Sequence, residues 1–200
     1  MKKTLIFILT VFLSIEISAQ ITLENDTIVN KYFDKSEIKE LHKLVIFFDN
    51  IVLNNCVLED SLAICYTKYY KEIYETAILT GNIDFKLDRN KLNDTVDSLS
   101  KSTFNKIWKY RDFVHRKTGE HIQELQIKLQ SNYFDFIIES AKVDSKWKAY
   151  YDNIMTAGDI SPTLISGVLY NCEQFNFDFE RERLFLAIHH LTILYRRELD

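Results

Sequence analysis

The stretch Leu184-Phe185-Leu186-Ala187-Ile188-His189-His190-Leu191-Thr192-Ile193-Leu194-Tyr195 is apolar on two sides at once. At 3.6 residues per turn Leu184, Ile188, Leu191 and Tyr195 align on one face, and Leu186 and Ile193 lie opposite. A helix apolar all round has no face to give to water, so other elements must enclose it. The spacing therefore predicts a buried helix over 184–195 at the centre of the domain. Arg196, Arg197 and Glu198 read as its return to solvent, with the two arginines placed against the negative helix end. Just upstream, Phe175, Phe177 and Phe179 alternate as in a strand, over too few residues to outweigh the helical run that follows.

Outward from this centre the helical period recurs. Ile38, Leu41, Val45, Phe48 and Val52 predict a helix over 36–56, with Asp34 and Glu37 forming a capping box at its start. Leu44, Phe47 and Ile51 widen its apolar stripe, as expected of a helix with more than one neighbour. Asp60 or Ser61 opens a second helix carrying Leu62, Tyr66, Tyr69, Ile73 and Ala77, and Gly81 stops it. After a linker at 82–88, Leu92, Val96 and Leu99 begin a third. Past an interruption at Ser102-Thr103, its period continues through Phe104, Ile107, Trp108 and Arg111.

Lys117-Thr118-Gly119 is the next turn signal. Beyond it Ile122, Leu125, Leu129, Tyr133, Phe136 and Ser140 predict a fourth long helix. Trp147, Tyr150, Tyr151 and Ile154 predict another, ending at Gly158, and Ser161-Pro162 opens a short one. Residues 20–34 alternate only weakly and read as an extended arm. The expected fold class is all-α, an irregular bundle of about five to seven helices in a single domain over 20–200. A regular helical-repeat array is the lesser alternative, because no signature positions recur.

The first nineteen residues carry a different signal. Met1-Lys2-Lys3 is a positive head, Leu5 to Ile15 an apolar core, and Ser18-Ala19 a small-residue end. This is the pattern of a cleaved export signal, with the cut expected after Ala19. The apolar run falls short of the ~20 residues a spanning helix needs. No cysteine near the cut offers a lipidation site. The segment resembles the secretion signals of Gram-negative bacteria, those of the Bacteroidota in particular. The resemblance covers the signal alone. It implies a periplasmic or secreted protein with no transmembrane anchor after cleavage.

The whole chain has 25 basic and 29 acidic side chains, a formal charge of −4. Cleavage would remove two lysines and one glutamate, leaving it more acidic still. No global attraction to nucleic acid follows from such a balance, and none is expected as a partner. Four glycines and one proline leave little material for phosphate-cradling loops. Gly-x-Gly-x-x-Gly, His-Glu-x-x-His and Gly-x-Ser-x-Gly are all absent from the sequence. No cofactor is expected.

Three cysteines remain to be placed. Cys56 and Cys65 flank a helix–helix turn, and an exported chain permits a disulfide between them. The competing reading makes both small buried core residues. Cys172 reads as a buried structural thiol. Among the histidines, His115 and His121 straddle Gly119 and, with Glu120 or Glu124, are the candidate metal ligands; chance surface placement is the competing reading. His189 and His190 point about 100° apart on one helix and read as packing histidines. His42 reads as a rim residue. Glu59-Asp60 and Asp178-Glu180-Glu182 are the densest acidic runs, read as caps and solvated faces.

Aromatic content is the compositional oddity, with 14 Phe, 11 Tyr and 2 Trp. Tyr66, Tyr69, Tyr70 and Tyr74 form one ladder, and Trp147, Tyr150 and Tyr151 a second cluster. Such side chains fill cores, and they also suit interfaces and sugar-stacking grooves. Two function classes follow. The leading one is an exported interaction or structural module of the bacterial envelope, with another envelope protein or a glycan as partner. The alternative is a small hydrolase or metal-dependent enzyme using His115/His121 or His189/His190 with nearby carboxylates.

Overall fold

The computed structural model describes residues 22–57 and 60–199; the expected export signal over 1–19 lies outside the described residues. In chain order the elements are α1 (Thr27–Tyr32), α2 (Lys35–Asn54), α3 (Leu62–Thr80), α4 (Arg89–Asp97), α5 (Lys101–Asn105), β1 (Trp108–Val114), β2 (His121–Ile127), α6 (Asn132–Ala141), α7 (Ser145–Ala157), α8 (Pro162–Tyr170), α9 (Glu180–Leu194) and β3 (Arg196–Leu199). The expectation of an all-α helical bundle is therefore corrected. The fold is mixed, with nine α-helices among the described residues and a three-stranded antiparallel sheet in the order β1-β2-β3.

The sheet replaces two stretches of expected helix, at β1 and β2, and one expected exit to solvent, at β3. The expected third helix is divided into α4 and α5, with the break at 98–100 and Ser102-Thr103 inside α5, and it stops at Asn105. The chain turns through Lys106 and Ile107, and Trp108 enters a strand. Gly119, at φ +77°, closes a hairpin whose His115 N–H donates to Glu120 O at 2.8 Å. The turn signal at Lys117-Thr118-Gly119 thus joins two strands and no helices. Ile122 and Leu125 belong to β2, while Tyr133, Phe136 and Ser140 belong to α6, which Ser131 caps separately. Arg196, Arg197 and Glu198 continue into β3 and pair with β2, Arg196 opposite Glu124 and Leu199 opposite His121.

Two smaller expectations are also corrected. The extended arm contains a 3₁₀ turn at Leu23–Asn25 and the short helix α1, capped by Asp26. The alternating phenylalanines form no strand. Cys172–Gln174 is a 3₁₀ turn, and Phe179 stands at the N-cap of α9.

Local chemistry sets the helix ends. Asp34 accepts from Ser36 N–H and Glu37 N–H, and Glu37 returns a carboxylate to Asp34 N–H at 2.9 Å. Ser61 caps α3, and Gly81 and Gly158 end α3 and α7 in the left-handed conformation. The core then forms around α9, which is buried continuously from Glu182 to Thr192. Phe48 of α2 stacks on His190 with centroids 5.1 Å apart. The Trp108 indole N–H reaches Thr192 Oγ1 at 2.7 Å, which fixes the root of the sheet to α9.

Candidate functional site

The first turn of α9 reads Glu180-Arg181-Glu182-Arg183, and each side chain binds a different part of the fold. Glu180 accepts the Leu23 backbone N–H at 2.9 Å and pairs with His42 Nδ1 of α2. Arg181 meets Asp26 at 3.1 Å. Glu182 meets Lys146 of α7 at 3.0 Å and accepts Asn176 N–H. Arg183 lies 3.3 Å from Asp49 of α2 and donates to Phe177 O at 2.9 Å. The two glutamates sit where the helix dipole favours negative charge. Reading this run as a solvated face is corrected for Glu180 and Glu182, which are buried and paired. Burial raises the carboxyls of Glu182 and Asp49; Lys146 opposes the first shift, and Arg183 and Tyr66 oppose the second.

Beside this hub α7 and α8 part to leave a cleft of about 350 Å³. Trp147, Tyr150, Phe175 and Phe185 supply aromatic walls, and Asn153, Asn171 and Gln174 supply side-chain amides. Lys146 stands at one end, held by Asp144 and Glu182 with its ammonium 5.6 Å from the Phe175 ring centroid. The Tyr150 hydroxyl reaches inward to His189 Nδ1 at 3.2 Å, and burial holds its pKa well above the ordinary tyrosine value.

Gly167 lines the same cleft from the middle of α8. The other three glycines of the chain occupy positive φ, where glycine is required; Gly167 does not, and a Cβ there would touch nothing within 4 Å. Glycine in a helix costs about 0.5–1 kcal/mol relative to alanine. A side chain here would extend from the cleft wall into open space.

The residues singled out from sequence are dispersed. His115 lies in the hairpin turn with Nδ1 2.8 Å from Thr118 Oγ1. His121 and Glu124 are three apart on β2 and so face opposite sides of the sheet; Glu124 is paired with Arg111 at 2.8 Å. The structure does not bring these three together. Among the described residues, the one group of three metal-type ligands within mutual reach is Cys56, Asp60 and Cys65. There the two sulfurs are joined in a disulfide, leaving a single carboxylate. Cys172 is a buried free thiol whose pKa burial raises.

Tyr66, Tyr69 and Tyr70 are core residues. Their hydroxyls reach Asp49, Phe85 O and His190. Tyr74 is half-buried beside Tyr170, and Tyr151 beside Phe134. Only Trp147 and Tyr150 of the seven border the cleft. Sequence reasoning missed Lys146, Gly167, Phe175 and Phe185. The available signal was a helical glycine in a glycine-poor chain.

Among the described residues no helix is long and apolar enough to cross a membrane. Compared with protein-family models, curated proteins and solved structures, the chain matches none.

Proposed function

We propose that this protein is an exported, non-enzymatic binding module of the bacterial cell envelope, and that it holds a neutral glycan unit in the cleft between α7 and α8. The observation that carries this reading is the aromatic-walled, amide-rimmed cleft with Gly167 in its wall, a glycine that costs its own helix stability and that no backbone conformation requires. Sugar rings present an apolar face and hydrogen-bonding edges; Phe175 offers a face, and Asn153 Oδ1 and Gln174 Oε1 offer acceptors, the amide nitrogens of Asn153, Asn171 and Gln174 being bonded to Ala149 O, Gly167 O and Asn171 Oδ1. A cleft of about 350 Å³ lies at the small end of the ~300–1,000 Å³ range of ligand pockets. The test is a ligand-observed NMR screen of neutral mono- and disaccharides against the wild-type protein and Gly167→Leu. Binding to the wild type that vanishes in a folded Gly167→Leu supports the reading; binding indifferent to the leucine, or none at all, retires it.

The alternative, a small hydrolase, is supported by one pair. Glu180 is buried and engages Nδ1 of His42, whose side chain is half exposed. A buried carboxylate holding one imidazole nitrogen leaves the other available as a general base. Hydrolysis of chromogenic esters or glycosides that is abolished in His42→Gln would favour this reading over the first.

A further inference from the structure

We propose that the glycan held between α7 and α8 is a chain of two or more rings, and that it continues over Gln174 and Phe175 into a second hollow against α3. This rests on the glycan reading of the first cleft and extends it. The second hollow, of about 390 Å³, lies between Ala63 and Thr67 of α3 and the segment 173–177. Gln174 and Phe175 line both spaces, so the two share one wall. Near-parallel rings connect them. Phe185 in the first cleft lies 5.4 Å from Phe175, and Phe175 lies 6.5 Å from Phe177 in the second, at interplanar angles of 18° and 27°. The half-buried Phe175 therefore stands between two spaces instead of closing one. Each space alone lies at the small end of the ~300–1,000 Å³ range of ligand pockets, and joined they fall in its middle.

The polar groups divide in a way that suits a chain. The amide nitrogens of the first cleft are spent inside the protein, so its amides offer a ligand acceptors only. The second hollow supplies what they lack. Asn176 Oδ1 accepts Asp178 N–H at 3.1 Å, and among the described residues the Asn176 side-chain NH2 has no partner. Thr67 donates to Ala63 O at 3.0 Å and keeps its oxygen lone pairs for a further donor. Sugar hydroxyls both donate and accept, so a chain crossing Phe175 meets both kinds of group. Charge narrows the class. Among the described residues Lys146 is the only cation lining either space, and Asp144 and Glu182 both hold it. Glu173 of the second hollow is exposed, and no cation among the described residues pairs with it. A groove with one neutralised ammonium and one open carboxylate disfavours an anionic chain and admits a neutral one.

The probes are β-1,4-linked glucose and N-acetylglucosamine oligomers of one to four units, titrated into the wild-type protein by calorimetry, with a galacturonic-acid trimer as control. The expected result is an affinity at least about tenfold higher for the trisaccharide than for the monosaccharide, and no binding of the acidic trimer. Thr67→Trp fills the second hollow from α3 and is expected to bring the trisaccharide down to the affinity of the monosaccharide. Asn176→Asp keeps the acceptor for Asp178 N–H and loses the NH2. It is expected to weaken trisaccharide binding about threefold or more, which keeps the idea testable if the tryptophan variant does not fold. One affinity at every length, lost in Gly167→Leu, overturns the chain and leaves the single-ring reading in place. No binding at any length retires both. A length gain that survives in folded Thr67→Trp and in Asn176→Asp runs along another path and overturns the proposal. So does equal binding of the acidic trimer, which marks stacking without selection.

Discussion

His189 and His190, neighbours in the chain, meet edge to face with ring centroids 5.2 Å apart inside the core. His190 Nδ1–H donates to Leu186 O at 2.6 Å. Among the described residues neither Nε2 finds a hydrogen-bond partner, and both are buried. An unprotonated Nε2 tolerates this; a protonated one adds a buried donor and a buried charge.

Acid should therefore destabilise the fold before most carboxylates titrate. Burial holds His189 well below its ordinary pKa and His190 at about 4, against 6.5 when unfolded. The unfolded chain binds more protons between these values. Stability is complete above pH 6.5 and falls as pH drops from 6.5 toward 4, with His190 alone removing about 3 kcal/mol. The raised carboxyls of Asp49 and Glu182 act in the opposite sense, adding stability as they protonate. Urea unfolding of the wild type and of His190→Gln across this window reads the histidine contribution as the difference between the two pH slopes; identical slopes would contradict a buried, neutral His190.

Asp49→Ala should be among the costlier single changes. It removes one partner of Arg183, which keeps its hydrogen bond to Phe177 O, and the acceptor of the Tyr66 hydroxyl, which donates to Asp49 Oδ1 at 2.6 Å. Breaking a buried pair costs about 3–5 kcal/mol, and equilibrium unfolding measures it. A loss under about 1 kcal/mol would show that the other contacts of Arg183 and Tyr66 hold without Asp49.

The disulfide joins residues nine apart, Cys56 and Cys65. Constraining so short a loop is worth about 2–3 kcal/mol. Dithiothreitol, or Cys56→Ala with Cys65→Ala, should lower the unfolding midpoint accordingly, while Cys172 stays unreactive to thiol reagents in the folded protein. Rapid labelling of Cys172 under native conditions would show that its region opens.

Two glycine-to-alanine changes should act with opposite signs. Gly167→Ala should stabilise by about 0.5–1 kcal/mol, since the methyl meets nothing. Gly158→Ala should destabilise by about 1–2 kcal/mol, because φ there is +76°. Thermal unfolding of the pair separates the cleft glycine from the capping glycine.

Helix boundaries were legible in the sequence because capping is a transaction between neighbours. Asp34 with Glu37, Ser61, Gly81, Gly158 and Ser161-Pro162 each satisfy or terminate backbone groups within a few residues of themselves. The burial of the 184–195 stretch was legible for a similar reason, since an all-apolar surface has one destination. Within the candidate site, Trp147 and Tyr150 stood out as aromatic helix positions. Lys146, Phe175 and Phe185 joined them only once α7, α8 and α9 were brought side by side.

The strands were decided elsewhere. Phe104, Ile107, Trp108 and Arg111 fit a helical period, yet Trp108–Val114 is extended because β2 returns alongside it through the Gly119 turn. Arg196–Leu199 carries little strand propensity of its own; it is a strand because β2, far earlier in the chain, offers an open edge, with His121 opposite Leu199. A helix closes its hydrogen bonds on itself, so its own residues announce it. A strand closes them on a partner, and only the tertiary structure says which partner is there.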